Sequence, residues 1–235
     1  AGQAALDVSA LNTAREYFAR LLELTPEDDP ERSALALKLA DSIMDDFPAA
    51  RAAIDQAQAA AKTDADRASA QVYLGELVMG LGNYAEGQAI IAEAVHMARA
   101  SDDSRTLCLA LYALGDVNWY LGELEDAKVA LDESLSLARA LGDLDAELSA
   151  LNRMGLVALS QSDLAEAERL LREVHTRAVA AGYRLLILRA LNNLGWTAGE
   201  RKDYAMAKEY YQQRLALSRE MGWQSATALV LGNLA

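Results

Sequence analysis

Leu111-Tyr-Ala-Leu-Gly-Asp-Val-Asn-Trp-Tyr-Leu-Gly-Glu-Leu-Glu-Asp-Ala127 carries a helix, its stop and a new start. Leu111, Leu114, Gly115 and Asn118 follow the spacing i, i+3, i+4, i+7, which places them on one helix face. Leu121-Gly122-Glu123 interrupts that pattern, and Gly suits the left-handed position past a helix end. A second helix then opens at Leu124, with the small residue Ala127 near its start.

The same text recurs in steps of 40 residues. Leu74-Gly75 leads to Leu114-Gly115, Met154-Gly155, Leu194-Gly195 and Leu234-Ala235. Tyr84, Leu124, Leu164 and Tyr204 form a second register, Gly87, Ala127, Ala167 and Ala207 a third, and Ala98, Ala138, Ala178 and Ser218 a fourth. No gap is needed from residue 64 onward. Each unit reads as two helices, the first running for example from Asp103 to Tyr120. The second helix is expected to stop at Gly142, Gly182 and Gly222, with Asp102 in the equivalent place. Asn83, Asp163, Asp203, Asp103 and Asp143 are expected caps, and Glu86 and Glu166 are placed to complete capping boxes with Asn83 and Asp163. The Gly of each Leu-Gly pair sits mid-helix, where it costs about 1 kcal/mol relative to Ala. A small residue on the partner helix, at 87, 127, 167 or 207, lets the two axes approach and offsets that cost.

Working outward, the chain is expected to be a single array over 1–235. Residues 64–101, 103–141, 143–181 and 183–221 are full repeats, and 223–235 is a truncated one. Before residue 64 the register degrades: 30–61 is a degenerate repeat with Pro48 in a first helical turn, and 8–24 is a lone helix. The chain has no initiator Met and stops inside a first helix, so it is expected to be a piece of a longer array, or one whose ends are covered by self-association.

Composition agrees with an all-α chain. Hydrophobic residues make up 52% but aromatics only 6%, so the apolar share is mostly Ala and Leu, strong helix formers. The net charge of −13, from 22 basic and 35 acidic residues, opposes binding to nucleic-acid phosphates or an anionic membrane surface. No apolar run approaches the roughly 18 residues needed to span a bilayer, and no signal peptide is visible. Cys108 is the only cysteine, so no internal disulfide or cysteine zinc cluster can form, and it reads as a buried apolar residue in a reduced, cytoplasmic compartment.

Leu-Gly on the first helix, followed by Gly-Asp/Asn-Tyr/Leu-x-x-Ala opening the second, resembles the tetratricopeptide repeat family. The residues carrying this are Ala190-Leu-Asn-Asn-Leu-Gly195, Asp203-Tyr-Ala-Met-Ala207 and Leu137-Ala-Arg-Ala-Leu-Gly-Asp143. The common form has a period of about 34 residues. The longer period here is similar to the repeats of bacterial signal-transduction ATPases, including regulators of the MalT and AfsR kind, and of Pins/LGN adaptors. Arg15-Glu-Tyr-Phe-Ala-Arg-Leu-Leu-Glu-Leu-Thr-Pro26 with Asp28-Asp-Pro-Glu-Arg32 looks like the start of the helical region of those regulators. The resemblance implies a right-handed superhelical solenoid of antiparallel helix hairpins.

Comparing the internal copies separates two stripes on each first helix. Positions 71, 74, 75 and 78 and their equivalents stay alike and read as core, with Asn118 the exception. That Asn is expected to meet a neighbouring backbone carbonyl or to turn toward the groove. Positions 69, 72, 76 and 79 and their equivalents vary freely, and the resemblance implies that they line the concave groove. They place Tyr112, Asp116 and Trp119 on one first helix, Asn152 and Leu156 on the next, and Arg189, Asn192 and Trp196 on the third. Tyr120, Arg153 and Asn193 are their neighbours, with Asn233 further on. Aromatics and Arg anchor interfaces, and Asn can hold a peptide backbone. Trp119 and Trp196 either face a partner or pack on the adjacent repeat.

No chemistry is expected. His96 and His175 are far apart and out of register, no metal or cofactor set is present, and Gly80-Leu-Gly-Asn-Tyr-Ala-Glu-Gly87 lacks the Gly-Lys-Ser/Thr of a phosphate loop. His175 is expected to be partly buried, and the acidic residues Glu123, Glu125, Asp126, Asp132 and Glu133 to lie on a solvated helix face. The expected function is a non-enzymatic scaffold that binds a peptide or partner protein in the groove, within a larger bacterial signalling or transcription regulator. The alternative is a small-ligand sensor in a MalT-like regulator. An enclosed pocket would favour the sensor and an open groove the scaffold.

Overall fold

A computed structural model describes residues 8–221, with side chains from Thr13 onward. The expectations for Gly222, Asn233, the Leu234-Ala235 register and the truncated repeat at 223–235 lie outside the described residues. The described chain is all-α. In order, its helices are α1 (Val8–Leu24), α2 (Arg32–Ser42), α3 (Phe47–Ala60), α4 (Asp64–Gly80), α5 (Tyr84–Ala100), α6 (Ser104–Leu121), α7 (Leu124–Leu141), α8 (Leu144–Ser160), α9 (Leu164–Ala181), α10 (Arg184–Glu200) and α11 (Tyr204–Glu220). They fall into two compact units, one running to Leu141 and the other starting at Gly142.

In the first unit each helix from α2 to α7 packs on the next, and the alternate helices α2, α4 and α6 also meet one another. The first helices therefore form one layer and the second helices, α3, α5 and α7, form the other. Val72, Ile91, Leu111 and Val117 are fully shielded between the layers, and Ala40 and Ile54 play the same part under α2 and α3. Leu22 of α1 closes against Ala36 and Leu37 of α2. Cys108 is buried, and its thiol donates to the Ser134 carbonyl across α6 and α7. In the second unit α8 and α9, α9 and α10, and α10 and α11 pack in the same way, with α8 touching α10 and with Leu171, Leu191 and Leu194 at the centre.

Helix ends follow the local chemistry. The carboxylates of Asp46, Asp103, Asp143, Asp163 and Asp203 accept the backbone N–H bonds of Ala49, Thr106, Ala146, Glu166 and Met206, which would otherwise have no helical partner. Asn83 departs from expectation: its side chain makes no capping bond, so it forms no box with Glu86. A reciprocal box forms instead at Thr63 and Asp66, before α4. Burial raises the Asp66 carboxyl, but the N–H donors of Thr63 and Lys62, the Thr63 hydroxyl and nearby Arg67 outweigh it and leave the pKa lowered. Glu166 is held by Arg169 through two bonds. Gly122 and Gly182 end their helices with φ of 79° and 74°, and Asp102, Ser162 and Lys202 take the same left-handed turn without being glycine. Lys202 has nothing in its sequence to announce this.

The mid-helix glycines show why they are there. A Cβ at Gly115 would lie 2.6 Å from Leu131 Cγ and 3.2 Å from the Ala127 carbonyl oxygen. At Gly155 it would meet Leu171 at 2.8 Å, at Gly195 it would meet the Tyr211 ring at 2.6 Å, and at Gly75 it would run into Ile91. Each glycine thus receives the side chain sixteen residues later, from the partner helix of its own hairpin. Closer packing outweighs the helix-propensity cost.

Candidate functional site

The variable stripe of the first helices differs in depth along the chain, and on α4 part of it packs against the second helix, with Met79 set against Gly87 of α5. In the first unit Val72 and Met79 of α4 are buried, while Tyr112, Asp116 and Trp119 of α6 are half-buried and Tyr120 is 48% exposed. Trp119 meets Tyr120 edge-on at 4.8 Å, and Tyr120 stacks on Tyr84 of α5 at 5.1 Å. These three rings form one aromatic cluster at the end of α6, shared between the first and second helices.

In the second unit Leu156 and Leu159 of α8 are buried and Arg153 is half-buried. Asn152 and Asn193, each 6% exposed, are tied together: Asn193 Nδ2 donates to Asn152 Oδ1 at 3.2 Å, joining α10 to α8. Asn192 Nδ2 in turn donates to Asn193 Oδ1 at 3.1 Å. The row ends in an acceptor: Asn192 Oδ1 is shielded from solvent and has no hydrogen-bond partner among the described residues. Trp196 is 41% exposed one turn further along, its indole N–H donating to Glu200 at 3.1 Å. Arg189 is exposed one turn before. Nearby, burial and then the charge of Asp143 raise the Asp145 carboxyl above its ordinary value, against the opposing pull of Arg189. Gly199, where the other first helices carry Met79, Trp119 and Leu159, has open space beside it.

Arg189 and Trp196 are thus exposed along one side of α10 with the half-buried Asn192 between them, and Asn152 and Asn193 are its buried support. The structure gathers Tyr112, Asp116, Trp119 and Tyr120 along one side of α6. Asn118, the polar residue on the core stripe, is satisfied by a side chain: Gln88 Nε2 of α5 donates to its Oδ1 at 2.9 Å. Sequence reading passed over Gln88. Its signal was the pairing of one polar residue on α5 with the lone polar residue on the core stripe of α6. Among the described residues no group of three or more His, Cys, Asp or Glu could hold a metal ion, and no helix is long and apolar enough to cross a membrane.

Residues 66–140 and 146–220 match the family model of the tetratricopeptide repeat. No match is found among curated protein sequences. Among solved structures, the chain is similar to a Rap protein complexed with competence and sporulation factor. The TM-score is 0.75 at 14% identity, covering 94% of this chain and 68% of that one. It is similar to BtubC from P. vanneervenii, with TM-score 0.64, 16% identity and coverage of 92% and 91%. It also resembles a STAND protein with a tetratricopeptide repeat sensor from Pyrococcus horikoshii, with TM-score 0.72 and 15% identity, over 92% of this chain and 33% of that one.

Proposed function

The chain belongs to the tetratricopeptide repeat family, and on that footing we propose that it is a non-enzymatic scaffold that binds a peptide segment of a partner on its first-helix face. The observation that carries this reading is the Asn192 side chain. A shielded amide oxygen without a donor costs about 1–3 kcal/mol, and a backbone N–H of an extended peptide would relieve it. Asn193 and Asn152 hold the Asn192 amide in one orientation, so little of its side-chain freedom is left for a ligand to remove. Trp196 offers an apolar anchor beside it and Arg189 a cation for an acidic residue or a C-terminal carboxylate. The space at Gly199 leaves room for a peptide side chain against the Trp196 ring. In the first unit Tyr112, Asp116, Trp119 and Tyr120 form a second contact patch of the same kind. The Rap protein complexed with competence and sporulation factor and the repeat sensor of the STAND protein support a cytoplasmic signalling role for such a region.

The test is selection of peptides from a random library on the intact chain, followed by affinities for two variants. Asn192→Ala and Trp196→Ala are each expected to weaken the selected peptides about tenfold or more, near 1.4 kcal/mol, with helicity unchanged. Peptides that bind both variants as they bind the parent would sink the reading.

A further inference from the structure

The opposite face of the first unit carries an open groove. The backbones of α5 and α7 stay apart, and a furrow of about 390 Å³ runs between them over α6. Its floor is Leu111, Leu114 and Val95, and its walls are Ala89 and Ala92 on one side and Val129 and Ala130 on the other. Polar straps close both ends. Gln88 reaches Asn118 and Glu123 at one end, and Arg99 pairs with Glu133 at the other. We propose that this groove is a docking site for a basic amphipathic helix of a partner protein, laid with its apolar face between α5 and α7.

An internal comparison ties the small apolar lining, not the helix separation, to these residues, since the α9 and α11 backbones stay apart as those of α5 and α7 do. Two steps of 40 further on, the matching positions between α9 and α11 are Arg169, Arg172 and Tyr210 in place of Ala89, Ala92 and Ala130. There Arg172 lies over the Tyr210 ring at 6.0 Å and pairs with Glu168, which Arg201 also holds. Arg172 and the Tyr210 ring occupy part of that furrow, whereas the walls of the one over α6 carry only small apolar side chains at the matching positions.

Shape and charge name the occupant. The lining on α5 runs from Gln88 to Arg99, about 16 Å at the helical rise, or three turns. A helix with apolar residues at i, i+3 or i+4, and i+7 matches that length. Small wall residues let its backbone come close, and Val129, 69% exposed, offers contact area at the rim. Three carboxylates border the groove, those of Glu123, Asp126 and Glu133, against the single cation Arg99. Asp126 has no partner among the described residues. The rim therefore favours Lys or Arg flanking the apolar face. A second copy of this chain, at net charge −13, would meet like charge here.

The intact chain is titrated with a fluorescent eighteen-residue Leu/Lys amphipathic helix at physiological salt, with a Leu/Glu helix of the same apolar face as control. The Leu/Lys helix is expected to bind at least tenfold more tightly than the control. Ala92→Arg, which installs the residue found at the matching position of α9, is expected to weaken it at least tenfold. Asp126→Asn should weaken it several-fold and flatten its salt dependence, and Asn192→Ala should leave it unchanged. Unfolding is followed alongside. If Ala92→Arg is destabilised, Val129→Lys, at an exposed position, decides in its place with the same expected loss. Parent-like binding by a folded Ala92→Arg or Val129→Lys overturns the proposal. So does equal binding of both peptides, or a chain dimer in sedimentation that Ala92→Arg abolishes.

Discussion

His175 occupies the place of Val95, Leu135 and Leu215 on the second helices, and it is half-buried. Burial first, and the charge of Arg172 second, lower its pKa from the ordinary 6.5. The folded chain therefore resists protonation that the unfolded chain accepts. As pH falls below that ordinary value the unfolded state binds the extra proton, and stability is lost until the lowered folded value is passed. Above the ordinary value the group contributes nothing to the pH dependence. The urea midpoint should fall between about pH 7.5 and about pH 5.5, and His175→Leu should shrink that fall. An equal fall in the variant would remove His175 as its cause. The partial burial was legible from the register, because an apolar position in the other copies marks the inner side of the helix. The role of Arg172 was not legible, because it depends on where a neighbouring long side chain folds down.

Within an element, one residue type can have opposite worth at two places. Gly195 and Gly199 both belong to α10. Gly195→Ala would push a methyl group to 2.6 Å from the Tyr211 ring, whereas Gly199→Ala would enter open space. Overpacking of this kind costs roughly 1–3 kcal/mol, more than the propensity of Ala returns. Gly195→Ala is thus expected to lower stability by about 1 kcal/mol or more, and Gly199→Ala to raise it by a few tenths, both read from denaturant midpoints. A loss of similar size at both would refute the packing account. The Leu-Gly register pointed to the close approach at Gly195, since the small residue recurs in every copy. Gly199 has no counterpart among the copies, so only the structure shows the empty space. The caps divide similarly. Aspartates before a helix were legible as acceptors, but Asn83 makes no capping bond, and the Thr63–Asp66 box lies at the edge of the regular register, where the copies gave no guidance.

At the scale of the whole molecule, an excess of 13 negative charges works against compactness. Ion pairs such as Arg51–Asp55 and Arg169–Glu166 are exposed and span one helical turn, so each is worth little. Raising salt from about 10 mM to about 0.15 M should screen the overall repulsion more than it weakens these pairs and should raise the thermal midpoint. A falling midpoint would show that the local pairs dominate. The repeat period and the two-helix unit were readable from spacing and composition. The depth of the variable stripe was not. Its residues share a face by register, but Asn152 and Leu156 are covered while Trp196 is open, and which is which depends on the bulk of what packs beside each. The groove over α6 escaped for the same reason: three alanines mark it only when set against Arg169, Arg172 and Tyr210. The glycine-to-side-chain lock, by contrast, is complete inside each of the hairpins α4/α5, α6/α7, α8/α9 and α10/α11. A hairpin carries its own gauge for how its two helices seat, so duplication, shuffling or grafting of whole 40-residue cassettes leaves every such gauge intact, while a cut inside a cassette destroys one.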